Sequence, residues 1–80
     1  MSGLTLYTTP SCGFCLRLKG RLDKSGIGYS EVDVESDDAG ATFVEETNDG
    51  ARTVPVVVYP DGSVVTNPEP GDVLTRMSAA

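Results

Sequence analysis

Two cysteines three residues apart, Cys12-Gly13-Phe14-Cys15, are the most reactive groups in this sequence. On a helix their side chains would be neighbours one turn apart, so they could close a disulfide without moving distant parts of the chain. Such a link staples little, because a structural disulfide does most when it closes a long loop in a secreted mini-domain. Redox chemistry is therefore the expected use. If a helix starts at this motif, the first cysteine meets free backbone amides and the positive helix end, which stabilise a thiolate. Cys15 lies one turn inside and should be less exposed. Cys12 is the expected nucleophile and Cys15 its partner.

A paired cysteine can also hold metal, but a structural zinc site takes four Cys or His ligands, and here there are two cysteines and no histidine. No metal site within one chain is expected. A metal or cluster shared between two copies stays open, since two chains could pool ligands and Gly13 leaves the turn less rigid than proline would. Without an imidazole base to activate a serine or thiol, hydrolase chemistry is not expected.

The second signal is Thr53-Val54-Pro55, where a proline heads an apolar run. A cis bond there would force a turn and expose the preceding backbone groups; a trans proline merely starting a strand is the plain alternative. The company of the cysteine motif favours cis.

The elements that must position these residues follow from periodicity. Leu4 to Thr8 is a β-favouring run that turns at Thr9-Pro10-Ser11. Phe14, Cys15, Leu18 and Leu22 recur at helical spacing, with Arg17 and Arg21 on another side and Gly26 as a left-handed stop. Tyr29 to Val34 alternates, Glu31 and Asp33 against Val32 and Val34, and reads as an edge strand. Ser36, Asp37 or Asp38 can cap a second helix with Phe43 and Val44 inward, ended by Asn48-Asp49-Gly50. Val54 to Tyr59 is valine-rich, as in a strand covered on both faces, and Pro60-Asp61-Gly62 turns it into an antiparallel partner, Ser63 to Thr66. Asn67 and Pro68 read as the cap and first residue of a last helix docked by Val73, Leu74 and Met77, with Pro70 in the tolerated first turn. The result is α/β, a four-stranded mixed sheet flanked by three helices, its first strand-helix-strand unit a right-handed parallel crossover.

Composition bounds the rest. Eighty residues allow one domain, expected to span 1–80. Leu, Ile, Val and Phe are 19 of the 80, enough for a small core. The net charge of −6 argues against nucleic acid or an anionic membrane as partner, and the longest apolar run is far too short for a membrane helix. The charge is uneven: residues 1–30 sum to +3 and residues 31–80 to −9. The start shows no secretory pattern, so a cytoplasmic location is expected.

Together these residues resemble the thioredoxin-fold glutaredoxins, from Leu4 to Met77. Cys12-Gly13-Phe14-Cys15 matches that family's active-site motif, Gly50-Ala51-Arg52-Thr53-Val54-Pro55 its cis-proline segment, and Asp61-Gly62 its hairpin turn. The resemblance implies a groove between Cys12 and Val54 in which the backbone of Val54 pairs with the cysteinyl part of a bound thiol. Two features of glutathione-dependent members are missing: Thr9 stands where they carry a lysine, and Thr66-Asn67-Pro68 replaces their Gly-Gly pair. Thr8-Thr9, the run from Cys12 to Lys19, Arg52 to Pro55, and Asp61-Gly62-Ser63 followed by Thr66-Asn67-Pro68 are similar to mycoredoxins, actinobacterial glutaredoxin-like enzymes that work with mycothiol. The Trp-Pro segment of cluster-carrying monothiol glutaredoxins and the Trp-Ser-Gly-Phe-Arg ending of redoxins that serve ribonucleotide reductase are both absent.

The resemblance implies a monomeric thiol-disulfide oxidoreductase without a bound cofactor. It would use mycothiol as co-substrate, mycothiolated proteins as targets, and mycothiol disulfide reductase indirectly. Thr53, Val54 and Pro55 would hold the small thiol by backbone, with Arg52, Thr66 and Asn67 as polar neighbours and Thr8 and Phe14 beside the site. Tyr7 fits a thiol-site role or plain sheet packing equally. Arg17 and Arg21 are either a solvated helix face or a basic collar for acidic partners. Two other functions remain open: a dithiol carrier recycled by thioredoxin reductase, which would need Cys15, and a protein carrying an iron-sulfur cluster between two copies.

Overall fold

The computed structural model describes residues 3–78, so residues 79–80 and Met1 and Ser2, part of the start that shows no secretory pattern, lie outside the described residues. The elements run β1 (Thr5–Thr8), α1 (Gly13–Lys24), β2 (Ser30–Asp33), α2 (Asp38–Thr47), β3 (Val56–Val58), β4 (Val64–Thr66) and α3 (Pro70–Ser78). The expected order of elements is present, and so is the mixed sheet, ordered β2-β1-β3-β4. β1 lies parallel to β2, with Leu6 opposite Glu31, and antiparallel to β3, with Leu6 opposite Val57. β4 returns antiparallel to β3, Val57 opposite Val65.

Because strand side chains alternate, each strand serves two layers. Leu4, Leu6, Val57 and Tyr59 meet Leu18 and Leu22 of α1 and Val73 of α3 on one face. Val34 and Val56 meet Ala41 and Val44 of α2 on the other, with Tyr7, Phe43 and Val54 packed against them. The valine run of β3 is thus covered on both sides, as its composition requires. Among the described residues no helix is long and apolar enough to cross a membrane.

Local chemistry sets the ends. α1 stops in a Schellman arrangement: Gly26 adopts φ 71°, its N–H donates to the Asp23 carbonyl at 3.2 Å, and Ile27 N–H donates to Leu22 at 3.0 Å. Of three candidate caps for α2, Asp37 is used, its Oδ1 accepting from Gly40 N–H at 2.8 Å. Asp61 Oδ1 accepts from Ser63 N–H at 2.9 Å inside the hairpin turn, and Arg76 of α3 reaches back to Asp61 at 3.0 Å while lying 3.9 Å over the Tyr59 ring.

One expectation is corrected. α3 begins at Pro70, not at Pro68, because Asn67 takes a left-handed φ of 50° and gives its N–H to the Pro55 carbonyl at 2.7 Å. Asn67 therefore ties β4 to the proline loop instead of capping a helix. Of the two roles open to Phe14, a core residue or an exposed aromatic that shapes a partner surface, its 62% exposure fits the second.

Gly40 makes a checkable contribution. It is buried in the first turn of α2, where an added Cβ would stand 2.6 Å from Val32 Cγ1. Valine has few alternative rotamers, so Gly40→Ala must push α2 off the sheet edge despite alanine's better helix propensity. The expected result is a loss of about 1–2 kcal/mol in urea unfolding; an unchanged or raised midpoint would show that β2 yields freely.

Candidate active site

β1 ends at Thr8, and the turn through Pro10 delivers the chain to α1 with Cys12 at the N-cap. Cys12 has an extended backbone, φ −84° and ψ 112°, and its Sγ accepts from the Cys15 N–H at 3.2 Å. A sulfur replaces the usual capping oxygen, and the amide that caps the helix is aimed at the atom on which negative charge develops during exchange. Cys12 is half-buried, Cys15 buried, and both are free thiols.

The two thiols differ in acidity. Burial, a hydrogen bond with Cys12 and the charge of Cys12 push the Cys15 thiol up to about 12, against the opposing pull of the Thr9 backbone and Lys19. A thiol held that high stays protonated at neutral pH, whereas the thiolate is the form that attacks disulfides. The buried sulfur can receive an attack or complete a disulfide, but it is not poised to begin exchange.

Across from the motif, the Val54-Pro55 bond is cis. A long contact of 3.9 Å runs from Cys12 Sγ to the Val54 carbonyl. The expected opposition of Cys12 and Val54 is therefore present, with Pro55 buried behind it and Thr53 exposed beside it. Asn48 anchors this loop: its Nδ2 donates to the Val44 carbonyl at 3.0 Å and the Thr53 carbonyl at 3.2 Å, and its Oδ1 accepts from Thr66 Oγ1 at 2.8 Å. Sequence reasoning took Asn48 only as part of a helix stop. Its side chain in fact joins the end of α2, the proline loop and β4.

The other expected polar neighbours are differently employed. Arg52 pairs through its Nε with Glu45 at 2.7 Å, and Thr66 gives its hydroxyl to Asn48. Thr8 is 2% exposed and donates to Glu31 Oε2 at 2.6 Å. The same carboxylate takes Lys19 Nζ at 2.8 Å. Lys19 and Thr8 together hold the Glu31 carboxyl below the usual range, and Glu31 raises Lys19. The side of β2 read as its wetter face is thus answered by a cation on α1, a contact visible only once the strands are in register. Tyr7 stacks on Phe43, ring centroids 4.7 Å apart, which assigns it to packing between β1 and α2.

Phe14, Arg17, Asn67, Pro68, Glu69 and Pro70 line a shallow groove where the first turns of α1 face the start of α3. Of the expected neighbours, Phe14 and Asn67 meet here. Among the described residues no cluster of three or more metal-ligating side chains occurs.

This arrangement pairs a half-buried cysteine at a helix N-terminus with a cis-proline loop facing it. The sequence profile of the glutaredoxin family matches residues 4–65. A protein of Mycobacterium tuberculosis described as a glutaredoxin is 49% identical over 76 residues, covering 95% of this chain and 90% of that one. Mycoredoxin 1 of Corynebacterium glutamicum is 39% identical over 79 residues, covering 99% and 98% of the two chains. Among solved structures, a thioredoxin-like protein superposes with a TM-score of 0.79 at 26% identity, covering 99% of this chain and 97% of its own. Matched along nearly its whole length in sequence and in fold, with the cysteine pair set at the head of α1, the chain belongs to the glutaredoxin family of thiol-disulfide oxidoreductases.

Proposed function

We propose that the protein reduces mixed disulfides between mycothiol and protein cysteines by a monothiol route. The observation that carries this reading is the inequality of the two sulfurs: Cys12 is accessible and meets a helix amide, whereas Cys15 is 1% exposed with its thiol pushed up to about 12. The Cys12 thiolate attacks the mycothiol sulfur. A Cys12–mycothiol bond forms, the bond from mycothiol to the target breaks, and the target leaves as a thiolate that takes a proton from water. A second mycothiol thiolate attacks the mycothiol sulfur on Cys12, releasing mycothiol disulfide and regenerating the Cys12 thiolate. Cys12 serves first as nucleophile and then as leaving group. Mycothiol disulfide reductase would recycle the product.

The backbone of Val54, opposite Cys12, is the group best placed to align the cysteinyl part of the bound thiol. Thr9 in place of a lysine removes a cation that would favour glutathione, and the likeness to a mycoredoxin supports mycothiol in its place. The choice of thiol is testable with one target protein carried in two forms. The mycothiolated form is expected to turn over with kcat/KM at least about tenfold above the glutathionylated form, about 1.4 kcal/mol of discrimination. Equal or reversed preference would sink the mycothiol assignment.

A further inference from the structure

The chain has six lysines and arginines, and the structure divides them into two sets. Lys19, Arg52 and Arg76 each hold a carboxylate, at 2.8, 2.7 and 3.0 Å. Arg17, Arg21 and Lys24 make no ion pair among the described residues, although the chain carries twelve acids. All three are exposed and all three lie on α1, the helix that begins at Cys12.

Their spacing puts them in register. With Phe14 they occupy positions i, i+3, i+7 and i+10, which share one side of a helix, while Cys15, Leu18 and Leu22 take another and face the core. The stripe begins in the groove that Phe14 and Arg17 form with the Asn67 to Pro70 segment and runs away from the reactive sulfur. Like charges one turn apart on a helix repel, and an anion laid along the row would relieve that repulsion. The negative end of the helix offsets that for Arg21 and Lys24, in the last turn, but not for Arg17 in the middle. No acid pairs with the row among the described residues: Asp23 turns to the Tyr29 hydroxyl at 3.2 Å, and Glu69, which lines the groove with Phe14 and Arg17, makes no ion pair with Arg17.

Phe14 at 62% exposure adds an apolar contact at the end nearest the chemistry. From Arg17 to Lys24 the row spans about 10 Å, the length of three or four extended residues. A short acidic stretch of polypeptide matches it in both charge and length. The overall charge of −6 disfavours a large polyanion such as a membrane or nucleic acid.

We propose that Phe14, Arg17, Arg21 and Lys24 form a docking stripe for an acidic segment of the disulfide-bearing partner protein, laid along α1 so that the partner's disulfide reaches Cys12. The surface selects among protein targets, a role separate from the choice of small thiol. Arg21 lies about 13 Å along the helix from Cys12, beyond the reach of a small thiol bound at the motif.

The test uses two peptides of about twelve residues, each with one cysteine joined to thionitrobenzoate and flanked either by an Asp/Glu segment or by a Ser/Asn segment. Attack by Cys12 on the peptide sulfur forms a Cys12–peptide disulfide and releases one coloured thionitrobenzoate thiolate. At about 10 mM salt the acidic peptide is expected to react about tenfold faster, and the gap is expected to close to within about twofold at 0.5 M, where screening is nearly complete. Arg21→Glu/Lys24→Glu should erase the advantage while leaving the neutral peptide's rate unchanged, and Arg21→Gln/Lys24→Gln should remove most of it. Equal rates for the two peptides, or an advantage that survives both variants, would overturn the proposal. Because thionitrobenzoate replaces mycothiol, this result stands or falls separately from the identity of the small thiol.

Discussion

Replacing Cys12 with serine is expected to lower disulfide exchange by at least about 10⁴-fold, to the uncatalysed background, while leaving the fold intact. The loss follows from geometry. Cys15 is the other thiol in the chain, and it is buried and pushed up to about 12, so almost none of it is available as thiolate at neutral pH. A serine hydroxyl at position 12 would remain almost wholly protonated and cannot form the disulfide intermediate. The stability expectation is equally specific. Cys12 caps α1 by accepting the Cys15 N–H at 3.2 Å, and serine is among the best N-cap residues. Urea unfolding of Cys12→Ser should therefore match wild type within about 0.5 kcal/mol or exceed it. Substantial residual exchange would mean that Cys15 can initiate the reaction and that its burial is not what limits it.

The largest structural effect is expected from Leu22→Ala. Leu22 is fully buried where α1 meets the sheet and α3, in contact with the cluster of Leu4, Leu6, Leu18, Val57, Tyr59 and Val73. Truncation should cost about 3 kcal/mol, the transfer free energy of the lost atoms plus the cavity left behind. An 80-residue domain has a total stability of only about 4–12 kcal/mol, so this is a large fraction of it. With a urea slope near 1 kcal/mol per molar for so small a chain, the midpoint should fall by roughly 2–3 M. A shift below about 0.5 M would show that α1 can collapse onto the sheet without Leu22, and that the packing beneath the cysteine motif is not what holds the helix in place.

Much of this architecture could be read from the residues because local chemistry and tertiary demand agree. The spacing of Cys15, Leu18 and Leu22 and the left-handed Gly26 each specify one conformation, and each is found; a cap for α2 was legible too, though not which of Ser36, Asp37 and Asp38 supplies it. The valine run of β3 states its burial outright. The opposition of Cys12 and Val54 was legible for a different reason, the resemblance of two separated motifs to one family.

What was missed depends on contacts between distant segments. Asn67 preceding Pro68 has the composition of a helix start, but the Pro55 carbonyl captures its N–H and α3 waits until Pro70. Thr8, expected beside the site, is drawn to Glu31, because the parallel register of β1 and β2 sets that carboxylate and Lys19 around its hydroxyl. Asn48 looked like punctuation, yet its amide is what binds the proline loop to β4. None of these pairings leaves a periodicity, since each joins residues whose separation is set by the sheet and its loops.

The central claim, that Cys12 works alone with mycothiol, is tested most directly by steady-state turnover of a mycothiolated protein by wild type and Cys15→Ser, recycled with mycothiol and its reductase. The account predicts that Cys15→Ser keeps at least about half of the wild-type rate, since no step of the monothiol route uses the buried sulfur. Loss of turnover in Cys15→Ser, with wild-type activity supported only by thioredoxin reductase, would contradict it and make the protein a dithiol carrier.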